Sequence, residues 1–157
     1  WFKVYHPEAF YIAYFTVRAD VFDAELMTQG QDKVKNEILE LKKKGNDLTQ
    51  KEKNVLTILE VVNEMYAREI KFLPVDLYES DPVKFKKAEG GIRPPLNTLQ
   101  GLGVTAAQNI AEARSEGTFL SVEDLIVRSK ISKTVVDILQ RNGCLEGMPE
   151  SNQISLF

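Results

Sequence analysis

The sequence predicts a mainly α-helical fold with one small β-hairpin. Apolar residues recur at three- and four-residue intervals over most of the chain, which is the helical period. Helix-start signals are present, and the clearest is the T-x-x-E capping box at Thr49 and Glu52. The segments 71–78 and 83–87 are instead short, alternating and bounded by proline or glycine. We therefore expect a strand pair there, between two helical regions.

The first ninety-five residues are predicted to form a helical segment that ends in this strand pair. Pro7 suits the first turn of an aromatic-rich helix, whose large side chains we expect to pack in the core. A second helix follows from Gln31 and ends at Gly45. The run Lys42–Lys44 favours the helix dipole and is typical of a solvated face, with a DNA contact as the alternative.

The stretch 99–114 reads as a Gly-Leu-Gly turn followed at once by a short amphipathic helix. Gly101 and Gly103 flank the apolar Leu102, and we expect positive φ at both glycines. A glycine loop that opens a helix presents unpaired N–H groups at the positive end of the helix dipole, where phosphate oxygens bind. The loop has no base-reading side chain, so it would hold a nucleic-acid backbone without regard to sequence.

This pattern resembles the helix-hairpin-helix motif. In that motif an apolar residue, here Leu96 or Leu99, precedes Gly-apolar-Gly, and a small residue, here Ala107, lies four positions beyond the second glycine. An ordinary corner between two helices is the alternative interpretation.

A second hairpin is predicted after the first. Ser121 begins a helix that breaks at 130–132, and the next helix is closed by Gly143. Ile131 takes the place of Leu102 as the apolar anchor of the turn. We therefore predict a tandem helix-hairpin-helix domain over residues 96–147, packed as a pseudo-twofold pair on the minor groove of duplex DNA. The predicted DNA-binding residues are Gly101, Leu102, Gly103, Thr105, Arg114, Arg128, Lys130, Ser132 and Lys133.

The amino-acid composition and charge of the chain limit the kinds of function that it can have. The chain contains one cysteine and one histidine, which cannot build a zinc site, and no window approaches the length of a membrane span. Its net charge is −3, and residues 96–150 contain five basic against seven acidic side chains. We therefore expect weak DNA affinity from the isolated chain, lost steeply as salt rises.

The last ten residues, 148–157, are predicted to be a flexible tail that docks on a partner. Leu156 and Phe157 would fill an apolar pocket, and Gln153 would supply a directional hydrogen bond at its edge. A frayed terminus that folds back is the alternative.

Taken together, the order of these pieces resembles the C-terminal part of the bacterial replicative DNA polymerase III alpha subunits of the PolC type. The opening KVYHPEAFYIAYFTVRADVFD resembles the fingers of that family. KFLPVDLYESDPVKF and IRPPLNTLQGLGVTAAQNIAEAR resemble the strand segment and first hairpin, and FLSVEDLIVRSKISKTVVDILQRNGCLEGMPESNQISLF resembles the second hairpin and terminus. The resemblance covers essentially the whole chain.

The resemblance implies a parent enzyme that is a DNA-directed DNA polymerase, acting in the bacterial cytoplasm on the nucleoid. Its Mg²⁺ would be held by palm aspartates outside this segment, so we expect no catalytic or metal-binding residue here. Residues 1–95 would belong to the fingers, and the tandem hairpins would hold the product duplex. The implied partners are duplex DNA, the remainder of the polymerase and the sliding clamp. The clamp-binding residues would be Gln153, Ile154, Ser155, Leu156 and Phe157, with Ile154 where leucine is commoner.

Two other functions remain open from the residues alone. Double hairpins and clamp peptides also occur in DNA-repair nucleases and ligases, although such a module would not need the helical segment before Pro94. The acidic balance also fits a protein-interaction domain whose helical hairpins never touch DNA.

Overall fold

The structure is a computed structural model that describes residues 2–151. It is mainly helical, with a two-stranded antiparallel sheet, as the sequence predicts. Two short 3₁₀ turns, Gly45–Asp47 and Leu96–Thr98, punctuate the chain. The helices are α1 (Phe2–Tyr5), α2 (Pro7–Val17), α3 (Ala24–Met27), α4 (Gln31–Lys43), α5 (Gln50–Ala67), α6 (Val104–Arg114), α7 (Val122–Ser129) and α8 (Lys133–Arg141); the strands are β1 (Lys86–Ala88) and β2 (Gly91–Arg93).

Helices α4 and α5 form an antiparallel pair joined by the turn at residues 44–49. The predicted capping box is present, since Thr49 Oγ1 accepts from the Glu52 N–H and the Glu52 carboxylate accepts from the Thr49 N–H. The predicted end of α4 is also confirmed, because Gly45 follows its last turn with a φ of 55°. Local capping chemistry thus sets both ends of this connection.

A cluster of four phenylalanine rings forms the centre of the core and confirms the predicted packing of the aromatic-rich helix. Phe15 comes from α2 and Phe22 from the loop after it, whereas Phe72 and Phe85 come from the segments beside the sheet. Ring centroids lie 4.9 Å apart for Phe22 and Phe85, and 5.4 Å apart for Phe15 and Phe22, both edge to face. Such pairs add to the stabilisation that their buried area provides.

The small sheet is displaced from its predicted position. Its strands are β1 and β2, joined through Gly90 with a φ of 93°, and not the pair 71–78 and 83–87. Of the first predicted strand, only Phe72 is paired, in a parallel bridge with Ile92. Pro74 lacks a donor, and the Asp76 carboxylate then accepts from the N–H groups of residues 78 and 79, so the chain turns instead of extending.

Glu25 on α3 ties the end of α8 to the N-terminal helices. Its Oε1 accepts from Arg141 Nε and Nη2 at 3.1 and 2.9 Å, and from Asn142 Nδ2 at 3.0 Å. The Asn142 amide and then the Arg141 guanidinium, both donating to this carboxylate, lower the pKa of Glu25. The contact spans more than a hundred residues of sequence.

Replacing Phe15 by alanine is expected to lower the free energy of unfolding by about 3–5 kcal/mol, because a ring in contact with three other phenylalanines is removed. Urea unfolding monitored by circular dichroism measures the change. Val17→Ala on the same helix is the control; Val17 is 77% exposed, and its loss is expected to cost less than about 0.5 kcal/mol. Equal effects of the two changes would contradict the assignment of the core.

The Glu25 contact predicts a pH-dependent difference between the wild type and Glu25→Gln. Because the folded-state pKa lies below the ordinary value of 4.5, the carboxylate contributes stability above that pH and loses it as the pH falls through the folded value. The wild type should therefore be the more stable protein at neutral pH, and the difference should shrink in acid. Denaturant midpoints of both proteins across this range test the prediction, and a difference independent of pH would refute it.

Candidate nucleic-acid interface

The first hairpin is a tight turn at residues 99–103 between the Leu96–Thr98 turn and α6. The Leu102 N–H donates to the Leu99 carbonyl at 3.0 Å, and the Leu102 side chain is buried as the predicted anchor. Gly101 has a φ of 90°, and a Cβ there would lie 2.8 Å from Ile138 Cδ1 on α8. Glycine at 101 is therefore favoured by the positive φ, and a side chain there would also displace the end of Ile138.

Gly103 does not have the positive φ that the sequence predicted. Its φ is −77° and its ψ 173°, because it is the N-cap of α6 and adopts extended backbone. Apart from Gly103 and its two chain neighbours, no described residue has an atom within 4 Å of the position that a Cβ would take. Neither conformation nor packing within residues 2–151 explains glycine at this position.

The start of α6 presents open backbone donors. Gly103 supplies no side-chain cap, so no cap bond of this kind satisfies the N–H groups of residues 104–106. Gly103, Val104 and Thr105 are all exposed. The partial positive charge of the helix end and these N–H groups together form the arrangement that binds a phosphate oxygen.

The second hairpin repeats the backbone of the first, 29 residues later. Lys130 adopts the left-handed conformation of Gly101, with a φ of 56°, although it is not glycine. Ser132 is the N-cap of α8 with the same φ of −77° as Gly103. The same offset relates buried pairs in the two units: Leu96 and Leu125, Leu102 and Ile131, Ala107 and Val136, and Ile110 and Leu139.

The two hairpins differ in their polar chemistry. Ser132 Oγ accepts from the Val135 N–H at 3.3 Å, so a side chain already satisfies one of the first donors of α8. A cavity of about 200 Å³ beside the second turn is lined by two acids, Glu112 and Glu116, and by two cations, Arg128 and Lys130. The first hairpin therefore offers more open backbone donors, whereas the second offers side-chain charge of both signs.

The two predicted arginines are engaged inside the fold. Arg114 Nη1 donates to the Leu77 carbonyl at 2.8 Å. The Arg128 guanidinium stacks over the Phe119 ring and donates to Asp124. It also donates to the carbonyls of Ala113, Gly117 and Thr118. These contacts hold α6 and α7 together, whereas Lys130 and Lys133 remain exposed and make no ion pair with another described residue.

Sequence reasoning missed two residues that define the surroundings of the first hairpin. Gln100 Nε2 donates to the Phe22 carbonyl at 3.2 Å, which attaches the turn to the end of the aromatic core. Asp20 lines a cavity of about 280 Å³ beside Gly101 and Gly103 and reduces the positive potential there. Both contacts join positions about eighty residues apart, and no local pattern signals them.

The proposed clamp-binding residues 153–157 lie outside the described part of the chain. The last described residues follow the start of α7: the N–H groups of Val122 and Glu123 donate to the carbonyls of Pro149 and Glu150. Ser151 Oγ donates to the Glu123 carboxylate at 3.0 Å. The described part of the predicted flexible tail, residues 148–151, is therefore held against the start of α7 by hydrogen bonds.

The repeated turns define a helix-hairpin-helix protein, and comparison with known families agrees. The model of the helix-hairpin-helix motif matches residues 69–154, more than half of the chain, so the chain belongs to this family. The match includes the small sheet as well as both hairpins.

Curated relatives named DNA polymerase III PolC-type match the whole chain. The relative from Clostridium perfringens is 57% identical over 157 residues, that from Caldanaerobacter subterraneus 55% and that from Bacillus subtilis 48%. In each case the match covers all of this chain and 11% of the relative. The chain thus spans about a tenth of the length of the polymerases that it resembles.

Two further findings concern residues 2–151. No described helix combines the length and the apolar character needed to cross a membrane. No described group of three or more histidine, cysteine or acidic side chains is placed to hold a metal ion.

The different roles of the two glycines predict opposite responses to the same substitution. Gly101→Ser should lower the free energy of unfolding by about 1–2 kcal/mol, because a side chain is forced into positive φ. Gly103→Ser should leave it unchanged within a few tenths of a kcal/mol, since serine is a good N-cap. Urea unfolding of both variants tests this, and a large loss for Gly103→Ser would contradict the observed turn.

Proposed function

We propose that this chain is part of a replicative DNA-directed DNA polymerase and holds duplex DNA by its backbone. The relatives named DNA polymerase III PolC-type support the parent activity. The DNA-binding role rests on the open N–H donors at the start of α6. Gly103 does not cap these donors, and neither its backbone conformation nor its packing needs glycine at this position. The parent would act on the bacterial chromosome in the cytoplasm.

The first hairpin makes the main contact in this proposal. Residues 101–103 and Thr105 approach one phosphate, with Lys130, Ser132 and Lys133 of the second hairpin beside the other strand. Arg114 and Arg128 act as positioning residues through their contacts with backbone carbonyls. The main contact is independent of base sequence, because the first turn, residues 101–103, carries no base-reading side chain and backbone N–H groups meet only phosphate.

The chemistry of nucleotide addition is assigned to other parts of the parent. Primer extension by nucleotidyl transfer uses Mg²⁺ held by carboxylates, and the described residues of this chain do not fit such a site. Residues 1–95 are proposed to be part of the fingers, and the hairpins would retain the duplex after each addition. Retention keeps the primer terminus near the active site.

Binding of the 157-residue chain to a fluorescent duplex of about 20 base pairs tests the DNA contact. We expect weak binding that falls as salt rises, and a loss of about tenfold in affinity for Gly103→Ser, because serine covers a donor that would otherwise meet a charged oxygen. Asn36→Ser, at an exposed position on α4 outside both hairpins, is the control and should not weaken binding. A salt dependence near zero would instead favour a protein-interaction domain.

Clamp docking is the second part of the proposed function and rests on the terminal QISLF. Deleting residues 153–157 should abolish micromolar binding to a purified bacterial sliding clamp while leaving DNA affinity unchanged, because the tail lies beyond the hairpins in sequence. Surface plasmon resonance with immobilised clamp measures the loss. The double change Leu156→Ala and Phe157→Ala keeps the length of the chain and should have the same effect. Unaltered clamp binding would remove the tail from the proposal.

A further inference from the structure

The small sheet has two chemically different faces. Side chains alternate between the faces of a sheet, and paired residues lie on the same side. Phe72, Phe85 and Ile92 occupy the inner face and are nearly or fully buried in the core. The other face carries Lys86 and Arg93; together with the exposed Lys71 and Lys84, which lie in the segments outside the strands, it is here called the outer sheet face.

The charges of the outer sheet face are not neutralised by the fold. Lys71, Lys84 and Lys86 are exposed, and none forms an ion pair with another residue in the range 2–151. Lys87, which lies on the inner side, is by contrast paired with Glu8 of α2 at 3.0 Å. Between residues 84 and 93 the sequence contains one acid, Glu89, at the turn.

The register of the sheet places two of these cations directly opposite each other. Lys86 is the cross-strand partner of Arg93, and like charges in such a pair destabilise a sheet. Arg93 Nη1 donates to the Pro74 carbonyl at 2.7 Å, whereas its Nε is buried without a partner among the described residues. An anion at this face would relieve the repulsion between Lys86 and Arg93.

We propose that the outer sheet face is a second binding site for the phosphate backbone of nucleic acid. Lysines supply point charges and Arg93 a planar donor group, the combination that suits phosphate. Large exposed apolar side chains, which a lipid surface would require, are not found on this face among the described residues. The identity of the ligand as DNA rests on the proposed function of the chain.

The position of this face fits a contact separate from the hairpins. The ion pair between Lys87 and Glu8 attaches the sheet to the first turn of α2. The hydrogen bond from Gln100 to Phe22 attaches the first hairpin to the loop that follows the last turn of α2. Eleven helical residues span about 16 Å. That length corresponds to about five base pairs at 3.4 Å per step along one strand. At this separation the two sites would contact different phosphates of one duplex.

The test is the salt dependence of duplex binding by a double variant, Lys84→Gln with Lys86→Gln. If each lysine meets one phosphate, the steepness of log K against log salt should fall by about 1.8, and the difference in affinity from the wild type, small near 1 M salt, should reach about a hundredfold near 50 mM. Lys35→Gln with Lys53→Gln is the matched control, because it removes the same charge from exposed positions on α4 and α5. The control should leave the slope unchanged, and the unfolding midpoint of Lys86→Gln should be equal to or higher than that of the wild type.

Each outcome decides the proposal. Equal slopes for the two double variants would show a general charge effect and overturn it. If Gly103→Ser weakens binding but the Lys84/Lys86 variant does not, this site is refuted and the hairpin contact stands. If the wild type fails to bind DNA at low salt, both the hairpin contact and the site on the outer sheet face are refuted. If polyglutamate displaces DNA as well as unlabelled duplex does, the face binds acidic proteins instead and the proposal is overturned.

Discussion

The packing of four phenylalanine rings is the constraint on which the rest of this structure depends. Phe15 and Phe22 approach the rings of Phe72 and Phe85 from the other side of the core, so one cluster joins α2, its following loop and the segments beside the sheet. The carbonyl of Phe22 also accepts from Gln100 in the first hairpin. The position of the proposed phosphate site is therefore set by apolar packing in a different part of the chain.

The same packing explains how a very small sheet keeps a strongly basic face. Two strands of three residues are not stable alone in water. Here the inner face is buried through Ile92, and Gly91 allows the chain at Lys71 to approach so closely that a Cβ would lie 2.4 Å from its carbonyl oxygen. Burial on one side thus offsets the repulsion between Lys86 and Arg93 on the other.

Sequence reasoning succeeded where the determinant is local and failed where it is a long-range contact. Capping residues identified the turn at Thr49 and the break at 130–132, because a cap acts within three residues. The strand positions were wrong, since Pro74 and the Asp76 turn override the alternating pattern. The partners of Arg114 and Arg128 were not predictable, because a free arginine and one bound to carbonyls have the same sequence signature.

Comparison of the two hairpins shows at which positions of the turn the backbone conformation favours glycine and at which it does not. Positive φ occurs at Gly101 and again at Lys130, so the turn tolerates a side chain at this conformation when there is room for it. At the first turn φ is 90°, and a Cβ would displace the end of the Ile138 side chain, so both conformation and packing favour glycine at 101. At the N-cap the fold accepts Ser132 with the same φ that Gly103 adopts, and space around Gly103 is free. Serine would serve the isolated fold at least as well there. Glycine is also an acceptable N-cap, and it leaves the first amides of α6 bare for the phosphate of the proposed contact.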